Sequence, residues 1–341
     1  MKQFALVLMV VLGGACSNDD KGVQISCNDD ELYDQVNDVC VPRGMTVPDV
    51  SLPDLGQNDA SDEVDAMPDM SEPDMPDPTC DRDNDRVLSP ACGGNDCDDL
   101  DPFRSPLLPE FCDNVDNDCS GVNNDGIDCS FFAHSNNAFY KVDPFAKTAT
   151  ELTMDTPNGG DTLQDIDTHP DGTLYGVSFT GLFRYDPNND RWVKVGDFGI
   201  DVGDPNGMAI DLGGTVLVTS QTNVYTVDTA TGRASFLGDM MGDFYSSGDC
   251  VVNKYDTLFM TSKKTGSPDS LVLINRETGI AEEIGSVGFE KVFALTSAWG
   301  ELWGLTAQGE LITIDERTGT GTLVQTFDGV RFFGAASTPN R

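Results

Sequence analysis

Basic side chains are scarce in this sequence of 341 residues: 20 lysines and arginines stand against 58 aspartates and glutamates, a formal charge of −38. A field of that sign repels phosphate backbones and anionic headgroups. It excludes nucleic acid as a partner and leaves divalent cations and cationic molecules. Histidine is scarcer still, with only His134 and His169. No serine, histidine and acid share a recognisable setting, and the Gly-x-Ser-x-Gly elbow is missing. No glycine-rich turn is followed by the Lys-Ser and helix of a phosphate cradle. Long apolar runs are missing too. The run from Phe4 to Leu12 is too short to span a bilayer, and no later segment is apolar enough.

That run follows Lys2 and precedes Gly13, Gly14, Ala15 and Cys16, the order of an export signal. It resembles a bacterial lipoprotein lipobox, although Leu12 sits one position earlier than the lipobox leucine. The resemblance implies a signal peptide over 1–16, lipidation of Cys16, and a membrane link through lipid alone. Ser17 and Asn18, rather than an aspartate, follow the cysteine, which favours an outer-membrane or cell-surface destination. A plain secretory signal is the alternative. Of the ten cysteines, setting aside Cys16 and the isolated Cys250 leaves Cys27, Cys40, Cys80, Cys92, Cys97, Cys112, Cys119 and Cys129. Cysteines so dense in short, loop-rich segments imply disulfides made in an oxidising compartment. Zinc is disfavoured, because tight CxxC spacings and nearby histidines are missing.

The chain divides by composition. Residues 17–44 form a short segment bridged by Cys27 and Cys40. Residues 45–79 repeat Pro-Asp, which breaks helices and repels itself, so a disordered acidic stalk is expected there. Residues 80–129 have almost no apolar core, so their order must come from disulfides or a metal. Their candidate ligands fall in three groups: Asp81, Asp83 and Asp85; Asp96, Asp98, Asp99 and Asp101; and Asp113, Asp116, Asn117 and Asp118, with Asn124 close by. Alternate carboxylates converge from a tightly turned loop, as in calcium loops. "DCDDLDP" followed by "PEFCDNVDNDCSG" resembles the MopE-type metal-binding motif of secreted proteins. Arg86 stands where that family's opening loop has glycine, and Ser120 where it has aspartate. The resemblance implies metal binding. The family's name is linked to copper, but hard oxygen donors suit calcium. An acidic disulfide knot without an ion is the alternative.

Residues 130–341 repeat. Asp143, Asp186, Asp228, Asn275 and Asp315 each end a strand, spaced about 42 residues apart, the period of propeller blades. The turn after them recurs as "DTATGRA", "NRETGIA" and "DERTGTG", hairpin chemistry with glycine at the positive-φ position. These turns resemble those of NHL- and YVTN-like propellers. Four complete units run from Leu163 to Gln325. "FFGAAS" at the C-terminus and the strands of Phe131–Thr153 supply a fifth, so an all-β, five-bladed propeller closed by its two chain ends is expected. Asp161, Asn206, Asp249, Glu290 and Arg331 are expected at the channel mouth, where they could hold a small ligand. Trp192, Trp299, Trp303 and Cys250 are expected to pack in the core. The expectation for the whole is a surface module in which calcium stiffens the acidic segment and the propeller binds an extracellular protein or glycan. A propeller hydrolase or lyase using a metal at the channel mouth and an extracellular metal-capture protein are the alternatives.

Overall fold

The protein's structure, a computed structural model, describes residues 31–34, 39–42, 79–136, 138–154, 157, 161–263, 267–339 and 341. The signal segment, Cys16, Cys27, the Cys40 side chain and all but the last residue of the expected stalk lie outside the described residues. The chain forms two units, residues 1–70 and 71–341. In the first, β1 (Glu31–Asp34) and β2 (Val39–Pro42) pair antiparallel with Glu31 opposite Pro42.

The second unit opens with the acidic module, whose regular structure is a single 3-10 turn, Pro90–Cys92. Three disulfides, Cys80–Cys92, Cys97–Cys119 and Cys112–Cys129, tie it together. Such bonds require an oxidising compartment during folding. The only apolar side chains buried within it are Val87 and Cys129, so covalent links replace a core. Cys129 leads directly into the propeller: its carbonyl accepts the Trp299 indole N–H at 3.1 Å, and Lys141 pairs with Asp128 beside it.

The propeller then follows in chain order. β3 (Phe131–His134), β4 (Phe139–Asp143) and β5 (Thr148–Leu152) begin the closing blade. Blade 1 is β6 (Leu163–Thr168), β7 (Leu174–Ser178), β8 (Gly181–Asp186) and β9 (Arg191–Asp197). Blade 2 is β10 (Pro205–Ile210), β11 (Val216–Ser220), β12 (Asn223–Val227) and β13 (Ala234–Asp239). Blade 3 is β14 (Ser246–Val252), β15 (Leu258–Ser262), β16 (Ser270–Ile274) and β17 (Ala281–Ser286). Blade 4 is β18 (Val292–Ala298), β19 (Glu301–Thr306), β20 (Glu310–Ile314) and β21 (Gly321–Thr326). Finally β22 (Gly334–Ala336) returns to pair with β3, Gly334 opposite His134, and the fifth sheet reads β22-β3-β4-β5. The ring expected from the repeats is the ring observed. Among the described residues no helix is long and apolar enough to cross a membrane.

The repeated strand-ending residues are explained by turn chemistry. Asp228 Oδ1 accepts the N–H groups of Ala230 and Thr231, Asn275 Oδ1 those of Glu277 and Thr278, and Asp315 Oδ1 those of Arg317 and Thr318. Each side chain thus satisfies turn donors that no strand partner reaches. The glycine that follows the second donor closes each turn at positive φ: 73° at Gly232, 77° at Gly279 and 75° at Gly319. The same glycines also set the blade spacing. Gly232 packs on Gly196 of the preceding blade, Gly279 on Gly238 and Gly319 on Gly285, so backbone meets backbone at three seams.

The two remaining seams use aromatics instead. Phe139 stacks on Trp192 at 5.7 Å between the closing blade and blade 1, and Phe145 meets Trp303 edge-on at 6.1 Å between the closing blade and blade 4. Five apolar clusters fill the five seams, each drawing on two adjacent blades. Trp192 and Trp303 are buried there, and Cys250 is a buried free thiol, as their apolar settings imply. Trp299 is half-buried: it packs against the cluster between the closing blade and blade 4 and also reaches the acidic module.

Candidate metal centre

In the acidic module, alternate aspartates make successive tight turns, and each spends one oxygen on a nearby backbone donor. Asp81 Oδ2 accepts Arg86 N–H at 3.3 Å, Asp83 Oδ1 accepts Asp85 N–H at 3.2 Å and Asp85 Oδ1 accepts Val87 N–H at 2.7 Å. Asp96 Oδ1 accepts Asp98 N–H at 2.9 Å. The other oxygens, Asp81 Oδ1, Asp83 Oδ2, Asp85 Oδ2 and Asp96 Oδ2, are buried and have no hydrogen-bond partner. Ligand oxygens of Asp81, Asp83 and Asp85 lie within 4.8 Å of one another. Asp96 is fully buried and feels the charge of Asp85, as Asp83 feels that of Asp85, Asp96 and Asp81.

Buried acceptors facing one another need a cation or a proton. Burial first, and then the neighbouring carboxylates, push Asp83 and Asp96 above the ordinary aspartate range. Oxygen-only donors at this spacing fit calcium, whose remaining ligands would come from backbone carbonyls or water. Asp96 reaches the opening loop because the chain doubles back between Cys80 and Cys92, with Ser89 N–H bonded to the Cys80 carbonyl at 2.8 Å.

Arg86 stands at φ 77°, the left-handed conformation that glycine adopts without strain. An L-residue there costs about 1–2 kcal/mol, partly offset by the extra freedom glycine gains when unfolded. Arg86→Gly is therefore expected to stabilise the module by up to about 1 kcal/mol, read as a higher midpoint for its unfolding. An unchanged or lower midpoint would count against this account of the loop.

The other expected ligands make contacts of their own. Asp98 pairs with Arg104 at 2.8 Å, Asp99 with Arg82 at 3.5 Å, and Asp101 caps the Phe103 N–H at 3.1 Å. Asp113 accepts Val115 N–H, and Asn117 is buried, its Oδ1 accepting Phe111 N–H at 3.1 Å. Asp116 accepts both Ser120 and Gly121 N–H groups, and Asp118 Oδ1 accepts Ser120 N–H. Asp116 and Asp118 also approach Glu110, a residue the motif contains but ligand spacing did not single out. Glu110 is buried, and its Oε1 accepts Asn117 and Asp118 N–H at 2.7 and 3.0 Å while Oε2 accepts Asn124 N–H at 2.5 Å. Ligand oxygens of Glu110, Asp116 and Asp118 lie within 4.8 Å of one another, a second group whose oxygens mostly accept backbone N–H groups already.

The five residues expected at the channel mouth take different positions along the inner strands and differ in burial. Asp161 precedes β6 and pairs with Thr180 and Lys194; Asn206 lies in β10 and donates to the Ser246 carbonyl. Glu290 and Arg331 are exposed, ahead of β18 and β22. Asp249 lies within β14 and is fully buried.

A family profile described as "Putative metal-binding motif" (Cu-binding, MopE type) matches residues 96–125. The match includes Asp96 and the group of Glu110, Asp116 and Asp118, and stops short of Asp81, Asp83 and Asp85. No curated protein matches the chain. Among solved structures, a streptogramin B lyase is similar at 13% identity and TM-score 0.36, over 59% of this chain and 70% of the lyase. Virginiamycin B lyase from Staphylococcus aureus is similar at 13% and 0.38, over 62% and 76%. A protein of unknown function from Bacteroides caccae is similar at 11% and 0.36, over 60% and 76%. None of these likenesses carries an activity across.

Proposed function

We propose that this chain is a lipid-anchored surface protein in which calcium stiffens the acidic module and the module presents the propeller to an extracellular protein or glycan. The observation that carries the calcium reading is the set of four buried carboxylate oxygens, on Asp81, Asp83, Asp85 and Asp96, that lack any donor. The Cys129–Trp299 and Asp128–Lys141 contacts support a role in presentation, since a stiffened module then fixes the start of the propeller.

Calorimetric titration of the ectodomain with calcium tests this, with copper as the comparison. One calcium site is expected, weakened at least about tenfold by Asp83→Asn, which removes one ligand charge. Burial and the neighbouring carboxylates raise Asp83 and Asp96, so protons compete with calcium for these oxygens and affinity should fall as the solution is acidified. Absence of calcium heat at neutral pH, or copper binding tighter than calcium, would overturn the calcium reading. Capture of a partner from envelope extract by the wild-type ectodomain, reduced by Asp83→Asn or by chelation, tests presentation; capture indifferent to both counts against it.

A further inference from the structure

The propeller axis carries a second group of carboxylates, unrelated to the acidic module. Asp165, Asp167 and Asp249 are each 1% exposed or less. They project from β6 and β14 and accept the free N–H groups along the edges of other inner strands. Asp165 Oδ2 takes Met208 N–H of blade 2 at 2.6 Å, and Asp167 Oδ2 takes Ile210 N–H at 2.6 Å. Asp167 Oδ1 takes Ser337 N–H at 2.7 Å, just beyond β22. Asp249 Oδ2 takes Leu295 N–H of blade 4 at 2.6 Å and Ala335 N–H of the closing blade at 3.4 Å. Three side chains therefore clasp inner strands from every blade.

Their charges are not treated alike. Asp167 faces the Arg341 guanidinium at 3.4 Å, and Arg341 also donates to the carbonyls of Val252 and Thr168 at the ends of two inner strands. Asp165 and Asp249 have no cation. They lie within hydrogen-bonding reach of each other, and Asp249 Oδ1 meets no N–H donor. The remaining titratable neighbours bring no positive charge. Burial holds His134, on β3, down to about 4, against the opposing Ser135 and Gln164 carbonyls. The Cys250 thiol, on β14, is pushed well up by burial and by Asp249. The inner strands β10, β18 and β22 contribute no titratable side chain. Two carboxyls cannot bond to each other unless a hydrogen stands between them.

We propose that Asp165 and Asp249 share one proton at neutral pH, and that this proton lets the pair clasp the inner strands and close the ring. Losing it to alkali leaves two facing carboxylates at the axis and loosens the ring. Burial first, with repulsion between the two carboxyls, raises Asp165, and burial raises Asp249, both well above the ordinary 3.8. A carboxyl raised on folding contributes stability that is full below its unfolded value. That contribution falls as pH climbs through the folded value.

Infrared difference spectroscopy between the intact wild-type ectodomain and its Asp249→Asn variant, in which signals from all other acids cancel, provides the direct test. The carbonyl stretch of an un-ionised carboxylic acid should be present at pH 7, absent from Asp249→Asn, and lost from the wild type as pH rises. The amide introduced by Asp249→Asn would keep an acceptor oxygen and carry its hydrogens permanently. The melting temperature of that variant should therefore overtake that of the wild type as pH rises, by at least about 2–4 °C once the proton has left. Asp165→Asn should behave likewise. A wild type without the acid stretch overturns the proposal, as does a stretch that emerges only on chelation and is removed by Asp249→Asn, which would mean a cation occupies the pair. So does an Asp249→Asn protein less stable than wild type at every pH.

Discussion

Alanine at Gly238 should lower the melting temperature of the propeller by about 5–10 °C, although it adds a single methyl group. A Cβ at that position would stand 1.9 Å from the Thr278 carbonyl oxygen and 2.7 Å from its carbon, both backbone atoms of the neighbouring blade. Neither can move without dragging the Asn275–Gly279 turn, which Asn275 Oδ1 holds through two N–H groups. Overpacking of this kind costs about 1–3 kcal/mol, and rigid backbone on both sides puts it at the upper end. Gly285→Ala, 2.2 Å from the Thr318 oxygen, should behave alike. Gly213→Ala, whose nearest neighbour is a side-chain oxygen at 3.3 Å, is the control and should melt near the wild type. Equal melting temperatures for all three proteins would mean that the seams tolerate separation and that glycine does not set the blade spacing.

Reducing the three disulfides should unfold the acidic module completely while leaving the propeller's melting transition in place. Closing loops of 12, 22 and 17 residues contributes about 3 kcal/mol each by chain entropy. The module's two buried apolar side chains cannot replace that, and one of them is Cys129 itself. The propeller holds no disulfide among its described residues, and its one thiol, Cys250, is buried and already free. Limited proteolysis after reduction should therefore cut between residues 79 and 129 and spare 131–336. If calcium binds the module as proposed, it should slow that cleavage in the oxidised protein. A reduced module that resists protease as well as the oxidised one would show that something other than its cross-links holds it.

The propeller could be read from the sequence because its turns repeat their own chemistry: an Asx acceptor, a threonine and a glycine at fixed offsets. The contact that Gly196, Gly238 and Gly285 make with the next blade's turn depends on a register no local pattern states. Asp165 and Asp167 were harder to interpret. In "LQDIDT" they look like polar breaks in an apolar strand, and their partners are backbone N–H groups 43 and 170 residues away. No side chain at 208, 210 or 337 marks that link. The acidic module shows the opposite limit. Its carboxylates are plain in the sequence, but whether an oxygen meets an N–H group, as in Glu110, or nothing, as in Asp96, is decided by loop geometry.

The pairing of β3 with β22 has a consequence for how the chain is made. His134 and its partner Gly334 are separated by the whole ring. At synthesis rates of about 5–20 residues per second, the first strand of the propeller waits about 10–40 s for its neighbour to emerge. Until then it offers bare amides and the apolar face of Phe131 to any other strand nearby. A newborn chain is thus exposed to mispairing with its siblings throughout that delay, so yield in a crowded cell should depend on a chaperone that shields the first strand until the last one arrives.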